Sequence, residues 1–157
     1  MDDIREARPD EARLLAAVQG VASVAALGHI FPPDLYPYPR EAVRSRWVEA
    51  SADEARRTLI AVSGVEPVGA ALVSAEWLDG LYVVPERWGS GLADELHDRA
   101  LALVQGLGSA KCHLWVLEHN ARARCFLSVV ALRVKCWASV RPFLSGSVWC
   151  VRAPSLI

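Results

Sequence analysis

Lysine is almost missing from this 157-residue chain: of 17 basic residues only Lys111 and Lys135 are lysines, and the formal net charge is −1. So balanced a charge exerts no global pull toward nucleic acid or an acidic membrane, and neither is expected as a partner. No uninterrupted apolar stretch approaches the ~18 residues of a membrane span. The opening MDDIREARPDEARLL lacks a basic segment followed by an apolar one, so no secretory signal is visible and a cytoplasmic protein is expected. The four cysteines, Cys112, Cys125, Cys136 and Cys150, form no C-x-x-C, and no His or Cys stands at metal-ligand spacing. No metal is expected, and the cysteines read as reduced, small apolar residues. Internal repeats and linkers are also missing, so residues 1–157 are read as a single domain, long enough for a real core. Acidic residues stop before the last part of the chain: none follows residue 124, a region rich in Cys, Val, Ser and Trp.

What is present has clear periodicity. Alternation predicts an edge strand over Ile4–Arg8, and Leu14, Leu15, Val18 and Val21 predict a first helix from about Pro9 to Ala26. "HIFPPDLYPYP", His29 to Pro39, is too proline-rich for a regular helix. Its aromatic residues are read either as a pocket wall or as a packed loop. A short helix over Arg40–Glu49 follows, then a hairpin of Thr58–Ser63 and Val68–Ser74 and a third strand over Trp77–Val84. Ala93–Leu107 is amphipathic, with Leu92, Leu96, Ala100, Leu103 and Leu107 on one stripe. A strand over Cys112–Leu117, a helix over Ala121–Val130 and strands over Leu132–Ser139 and Ser147–Arg152 complete the order, the last two joined by a loop with Pro142 and Gly146. An α/β (α+β) fold follows, a mixed central sheet of about six or seven strands flanked by about four helices on both faces.

The chemistry concentrates at "ERWGSGLADEL", Glu86 to Leu96, where a glycine turn leaves a strand and opens a helix. The first helical turn has amides without intrahelical acceptors, and the helix dipole adds partial positive charge there. An anion such as phosphate fits such a place, and glycines let the backbone approach it. The donors would be the amides from Gly89 to Ala93, with Arg87 nearby; the plainer reading is a tight turn. No Gly-Lys followed by Ser or Thr is present, and no third glycine completes a dinucleotide fingerprint.

The stretch "LYVVPERWGSGLADELHDRAL" resembles the cofactor-binding motif of the GNAT superfamily of N-acetyltransferases: a strand ending in V-x-P, then a glycine turn opening a long helix. "IREARPDEARLL" is similar to the family's opening strand and helix, and "LWVLEHNARARCFL" to its later strand and last helix. Trp88 stands where the family commonly has Arg or Gln. The resemblance implies acetyl-CoA as co-substrate, lying in a gap between the strand before the glycine turn and the strand before Asn120. Its pyrophosphate would sit on Trp88, Gly89, Ser90, Gly91, Leu92 and Ala93, and its pantetheine arm would pair with Tyr82, Val83 and Val84. Asn120 would bond that arm, with Ala123 and Phe126 flanking it.

Acetyl transfer to an amine needs a deprotonated amine, a donor to the carbonyl oxygen and a proton for the departing thiolate. The family's usual acid, a tyrosine of the last helix, corresponds to Leu127 here, the usual Glu after it to Ser128, and the usual Gly-Phe pair to Ala131-Leu132. For the base, Glu118 beside Asn120 and Glu76 at the mouth of the third strand are the candidates. Strict alternation puts Glu76 on the face of Leu78, Gly80, Tyr82 and Val84, and Asp79 on the other. His29, Tyr36 and Tyr38 are candidates to line an acceptor pocket, while His97 reads as helix surface and His113 as strand packing. The expected function is an acetyl-CoA-dependent N-acetyltransferase acting on the amine of a small molecule or protein by direct attack. The alternatives are a CoA-binding sensor or impaired enzyme without its tyrosine acid, and an interaction module. Trp137, Trp149 and Leu156 are candidate contacts of a homodimer.

Overall fold

The computed structural model describes residues 2–117, 119–133, 141–143 and 146–152. Strand β1 (Asp3–Glu6) leads through a 3-10 turn (Pro9–Glu11) into α1 (Ala12–Leu27) and α2 (Arg40–Ala52). Strands β2 (Arg56–Ser63), β3 (Glu66–Ser74) and β4 (Trp77–Val83) follow, then a 3-10 turn (Pro85–Arg87) and α3 (Leu92–Gly106). The chain continues as β5 (Lys111–Leu117), α4 (Ala121–Arg133), β6 (Arg141–Phe143) and β7 (Gly146–Arg152).

The strands form one mixed sheet in the order β1-β2-β3-β4-β5-β7-β6. Every described pairing is antiparallel except β4 with β5, which are parallel and pair only at Trp77 with His113 and Leu78 with Leu114. Past those two residues β4 and β5 part toward their C-terminal ends. The expected strand over Leu132–Ser139 is different: Leu132 and Arg133 close α4, and residues 134–140 lie outside the described ones. A strand is described at Arg141–Phe143, at the sheet's edge. There Pro142, which has no N–H to give a second neighbour, is tolerated.

Two apolar layers sandwich the sheet. Leu92, Leu96, Ala100 and Val104 of α3 pack with Leu78, Val83, Leu114 and Val116 of the sheet and Leu127 of α4. On the other face Leu15 and Val18 of α1 and Trp47 of α2 cover Ile60, Ala70 and Leu72. The stripe on α3 drifts as a 3.6-residue period requires: Val104 is buried and Leu107 is 38% exposed. His97, expected at the surface, is fully buried beside the ring of Phe126 (centroids 6.0 Å apart). Its burial lowers its pKa, against the pull of the Asp98 and Asp94 carboxylates. No described helix is long and apolar enough to cross a membrane.

The entry into α1 is held by one acid. Glu11 accepts both guanidinium nitrogens of Arg5 at 2.8 Å and the Arg8 backbone N–H at 2.8 Å. The Arg5 hydrogen bonds, opposed by burial and helped by Arg8, bring its pKa from 4.5 to about 2. Because the folded value is the lower one, this group's contribution is complete above pH 4.5 and is lost as pH falls toward 2. Glu11→Gln is expected to cost about 2 kcal/mol near neutral pH, the guanidinium partners being partly solvated, and to flatten the acid limb of a urea-midpoint profile.

Candidate active site

The parting of β4 from β5 opens a cleft of about 790 Å³. Its floor is Leu81, Tyr82 and Val83 of β4, one end is the glycine turn, and its walls come from α1 and the start of α4. The turn is built by two left-handed glycines, Gly89 at φ 79° and Gly91 at φ 90°. Gly91 is the N-cap of α3, and no side chain caps this helix. Ala93 and Asp94 of its first turn line the cleft. Ser90 steadies the turn, its Oγ donating to the Arg87 carbonyl at 2.7 Å and accepting the Leu92 N–H at 3.4 Å.

Of the residues nominated from sequence, Tyr82, Val83, Trp88, Gly89, Gly91, Ala93, Asn120, Ala123 and Phe126 come together around this cleft. Val84, Ser90 and Leu92 are not in its lining. Val84 packs into both apolar layers and donates its N–H to Val68 at 3.0 Å, and Leu92 is buried in the core. Asn120 caps α4: its Oδ1 accepts the Ala123 N–H at 3.2 Å, which leaves its NH₂ group for a ligand. Trp88 is pinned by its indole N–H, which donates to the Val83 carbonyl at 2.8 Å. Arg87 reaches the cleft, but its guanidinium bonds the Asp2 carboxylate. That bond holds the Asp2 pKa below its usual value.

The catalytic candidates fall differently. Glu118 lies outside the described residues. Glu76 sits in the turn before β4, where its carbonyl accepts the His113 N–H at 2.7 Å. Its half-exposed carboxylate stands 3.8 Å from His113 Nε2, and Glu76 is not in the cleft lining. The alternation used to place it breaks at a β-bulge. Leu72 opposes Gly80 while Val73 opposes Leu78, so Asp79 is an extra residue. Leu78, Leu81 and Val83 therefore share the α3 layer, and Tyr82 faces α1 and α2. Asp79 accepts a hydrogen bond from Ser74.

Of the departing positions of α4, Leu127 and Ser128 do not line the cleft. Leu127 is 5% exposed in the core, and the Ser128 Oγ donates to the Arg124 carbonyl at 2.8 Å. Cys125 does line the cleft and is an exposed free thiol. His29, Tyr36 and Tyr38 are not in the lining. The His29 Nε2 donates to the His119 carbonyl at 3.2 Å, tying the end of α1 to the connection before α4. Tyr36 is exposed edge-on to Phe31, and Tyr38 lies against Gly20 of α1. Burial raises the Tyr38 pKa, against the Arg40 charge and the Ser23 hydroxyl. Trp137 and Leu156 lie outside the described residues, and Trp149 is described only by its backbone pairing with Leu114.

Sequence reasoning missed the α1 wall, Ala22, Ser23, Ala26 and Leu27, although three small residues one turn apart on a helix end were a readable sign of close approach. It also missed Arg122, whose Cζ lies 3.9 Å from the centroid of the Trp88 ring.

The architecture is shared with solved acetyltransferase structures. The N-acetyltransferase PaiA of Thermoplasma acidophilum, solved with coenzyme A, superposes with a TM-score of 0.79 at 16% identity, over 97% of this chain and 99% of that one. An acetyltransferase of Thermus thermophilus gives 0.73 at 19% identity, over 96% of each chain. Apo YjaB of Escherichia coli gives 0.69 at 22%, over 98% of this chain and 97% of its own. At these identities the likeness is one of fold. No curated protein sequence matches the chain significantly. The family model described as the acetyltransferase (GNAT) family matches residues 24–128, two thirds of the chain, and the chain belongs to that family.

Proposed function

We propose that this protein is an acetyl-CoA-dependent N-acetyltransferase that passes an acetyl group to the amine of a small molecule or a protein. The carrying observation is the cleft that joins the uncapped N-terminus of α3 to the parting of β4 and β5. An anionic pyrophosphate suits the first end, where the amides of Gly89, Gly91 and Ala93 and the helix dipole are available, those of Ser90 and Leu92 being engaged by the Arg87 carbonyl and the Ser90 Oγ. A pantetheine arm suits the second. β4 has no β5 pairing beyond Leu78, and the ladder alternation that turns Tyr82 and Val84 to β3 turns the backbone of Leu81 and Val83 away from it, so the Leu81 groups and the Val83 N–H can bond the arm's amides, with the Asn120 NH₂ as a further donor.

In this reading the amine lone pair attacks the thioester carbonyl carbon, the C–N bond forms and the C–S bond breaks. The amine's proton leaves through a base, and the thiolate departs as CoA. Glu118 is the proposed base, from its place in sequence between β5 and Asn120. Glu118→Gln is expected to lower kcat about 10²- to 10³-fold, while Glu76→Gln stays within about threefold of wild type. The assay is thiol release from acetyl-CoA over a panel of amines. The reverse pattern would transfer the role to Glu76, and two inert substitutions would remove both carboxylates from the chemistry.

A second reading, a CoA-binding sensor, is favoured by one observation. Leu127 is turned into the core, so this position of α4 brings no acid to the cleft. Saturable acetyl-CoA binding without thiol release from any amine would select it.

A further inference from the structure

We propose that Arg122, set over the ring of Trp88, is the cation that holds the pyrophosphate of the acyl carrier and selects carriers with that group over a bare acyl-pantetheine. This rests on the reading of the cleft as a CoA site.

The charged side chains among the described lining residues are Arg87, Asp94 and Arg122. Arg87 is engaged by the Asp2 carboxylate, and Asp94 is itself negative. Arg122 pairs with no carboxylate among the described residues; its partner is the Trp88 ring, 3.9 Å away, well inside cation–π range. Trp88 cannot drift, because its indole N–H is bonded to Val83. Arg122, Trp88, Gly89 and Gly91 line the same cleft, so the guanidinium and the glycine turn face one space.

Two physical arguments give this pair a purpose. First, Arg122 lies in the first turn of α4, where the helix dipole disfavours a cation and where that turn itself holds no acid. A bound anion removes that conflict. Second, stacking occupies the face of a guanidinium and leaves its N–H edge free to donate two parallel bonds to phosphate oxygens. Lysine offers no such division of face and edge. Trp88, where the resemblance leads one to expect Arg or Gln, thus supplies no charge of its own but holds one delivered from α4.

The test is titration of CoA, dephospho-CoA and pantetheine into wild type, Arg122→Ala, Arg122→Lys, Trp88→Leu and the Arg122→Ala/Trp88→Leu double variant. Arg122 is exposed, so its variants are expected to fold, which melting curves check. Arg122→Ala should weaken CoA and dephospho-CoA alike, about 10- to 100-fold, as loss of a charge-assisted bidentate bond does. Pantetheine should change less than about twofold, and Arg122→Lys should fall between wild type and alanine. Trp88→Leu should weaken CoA about 3- to 10-fold, and the double variant should be no weaker than Arg122→Ala. The proposal is overturned if Arg122→Ala binds CoA like wild type, if it weakens pantetheine equally, or if only CoA and not dephospho-CoA is affected. Wild type that takes dephospho-CoA and CoA no better than pantetheine overturns it too. Wild type that binds none of the three overturns the CoA reading with it.

Discussion

Gly91→Val is expected to weaken CoA binding at least about 100-fold while leaving the protein folded. Gly91 holds φ 90°, and a β-branched residue there is a steric outlier costing about 1–3 kcal/mol. No atom lies within 4 Å of a Cβ built on Gly91, so the new side chain meets open space rather than the core. Gly91 lines the cleft, so in the proposed CoA site the side chain competes with the anion for that space. Either the side chain fills that space or the turn relaxes and the amides turn away, and the cradle is lost both ways. Gly64 gives the control, with φ 64° in the β2–β3 hairpin and no atom near its Cβ. Gly64→Val imposes a similar strain away from the cleft, so its melting temperature should fall comparably while CoA affinity stays within about twofold. Equal affinity in both variants would reduce the glycine turn to a structural device.

Trp47→Ala is expected to have the largest effect on stability, about 3–5 kcal/mol by urea unfolding at constant m. Trp47 is 2% exposed, wedged from α2 into the layer under α1, and its indole N–H donates to the buried Gln19 Oε1 at 2.7 Å. Truncation leaves both a large cavity and an unpaired amide, against a total stability of about 5–15 kcal/mol for domains of this size. Trp47→Phe keeps most of the volume and loses only the bond, so about 1–3 kcal/mol is expected. The ring also meets the edge of Tyr82, centroids 6.3 Å apart, and Tyr82 floors the cleft. CoA binding by Trp47→Ala should therefore weaken even where the variant is fully folded. An unchanged urea midpoint would contradict the packing described for α2.

The order of elements was legible because α1, β2, β3 and α3 carry strong periodicity, and because glycine and proline mark their ends. The glycine-turn end of the cleft was legible for a similar reason: Gly89, Gly91 and Asn120 shape it through local backbone geometry, which short sequence patterns record. What escaped was non-local. The bulge at Asp79 is a matter of pairing with β3, so strict alternation placed Glu76 on a face that the strand does not keep. His97 looked polar and hence exposed, but the helical period puts it between α3 and Phe126. Arg122 reaches Trp88 across 34 residues of sequence, a contact that no local pattern encodes. The small side chains of α1 became a wall only once the fold brought them opposite β4.

The most direct test is an amide ¹H–¹⁵N titration with acetyl-CoA. The prediction is saturable one-to-one binding, with the largest shifts at Gly89 to Ala93, at Tyr82 and Val83, and at Asn120 to Ala123. Absence of saturation at millimolar acetyl-CoA, or shifts concentrated away from the glycine turn, would contradict the assignment of this cleft.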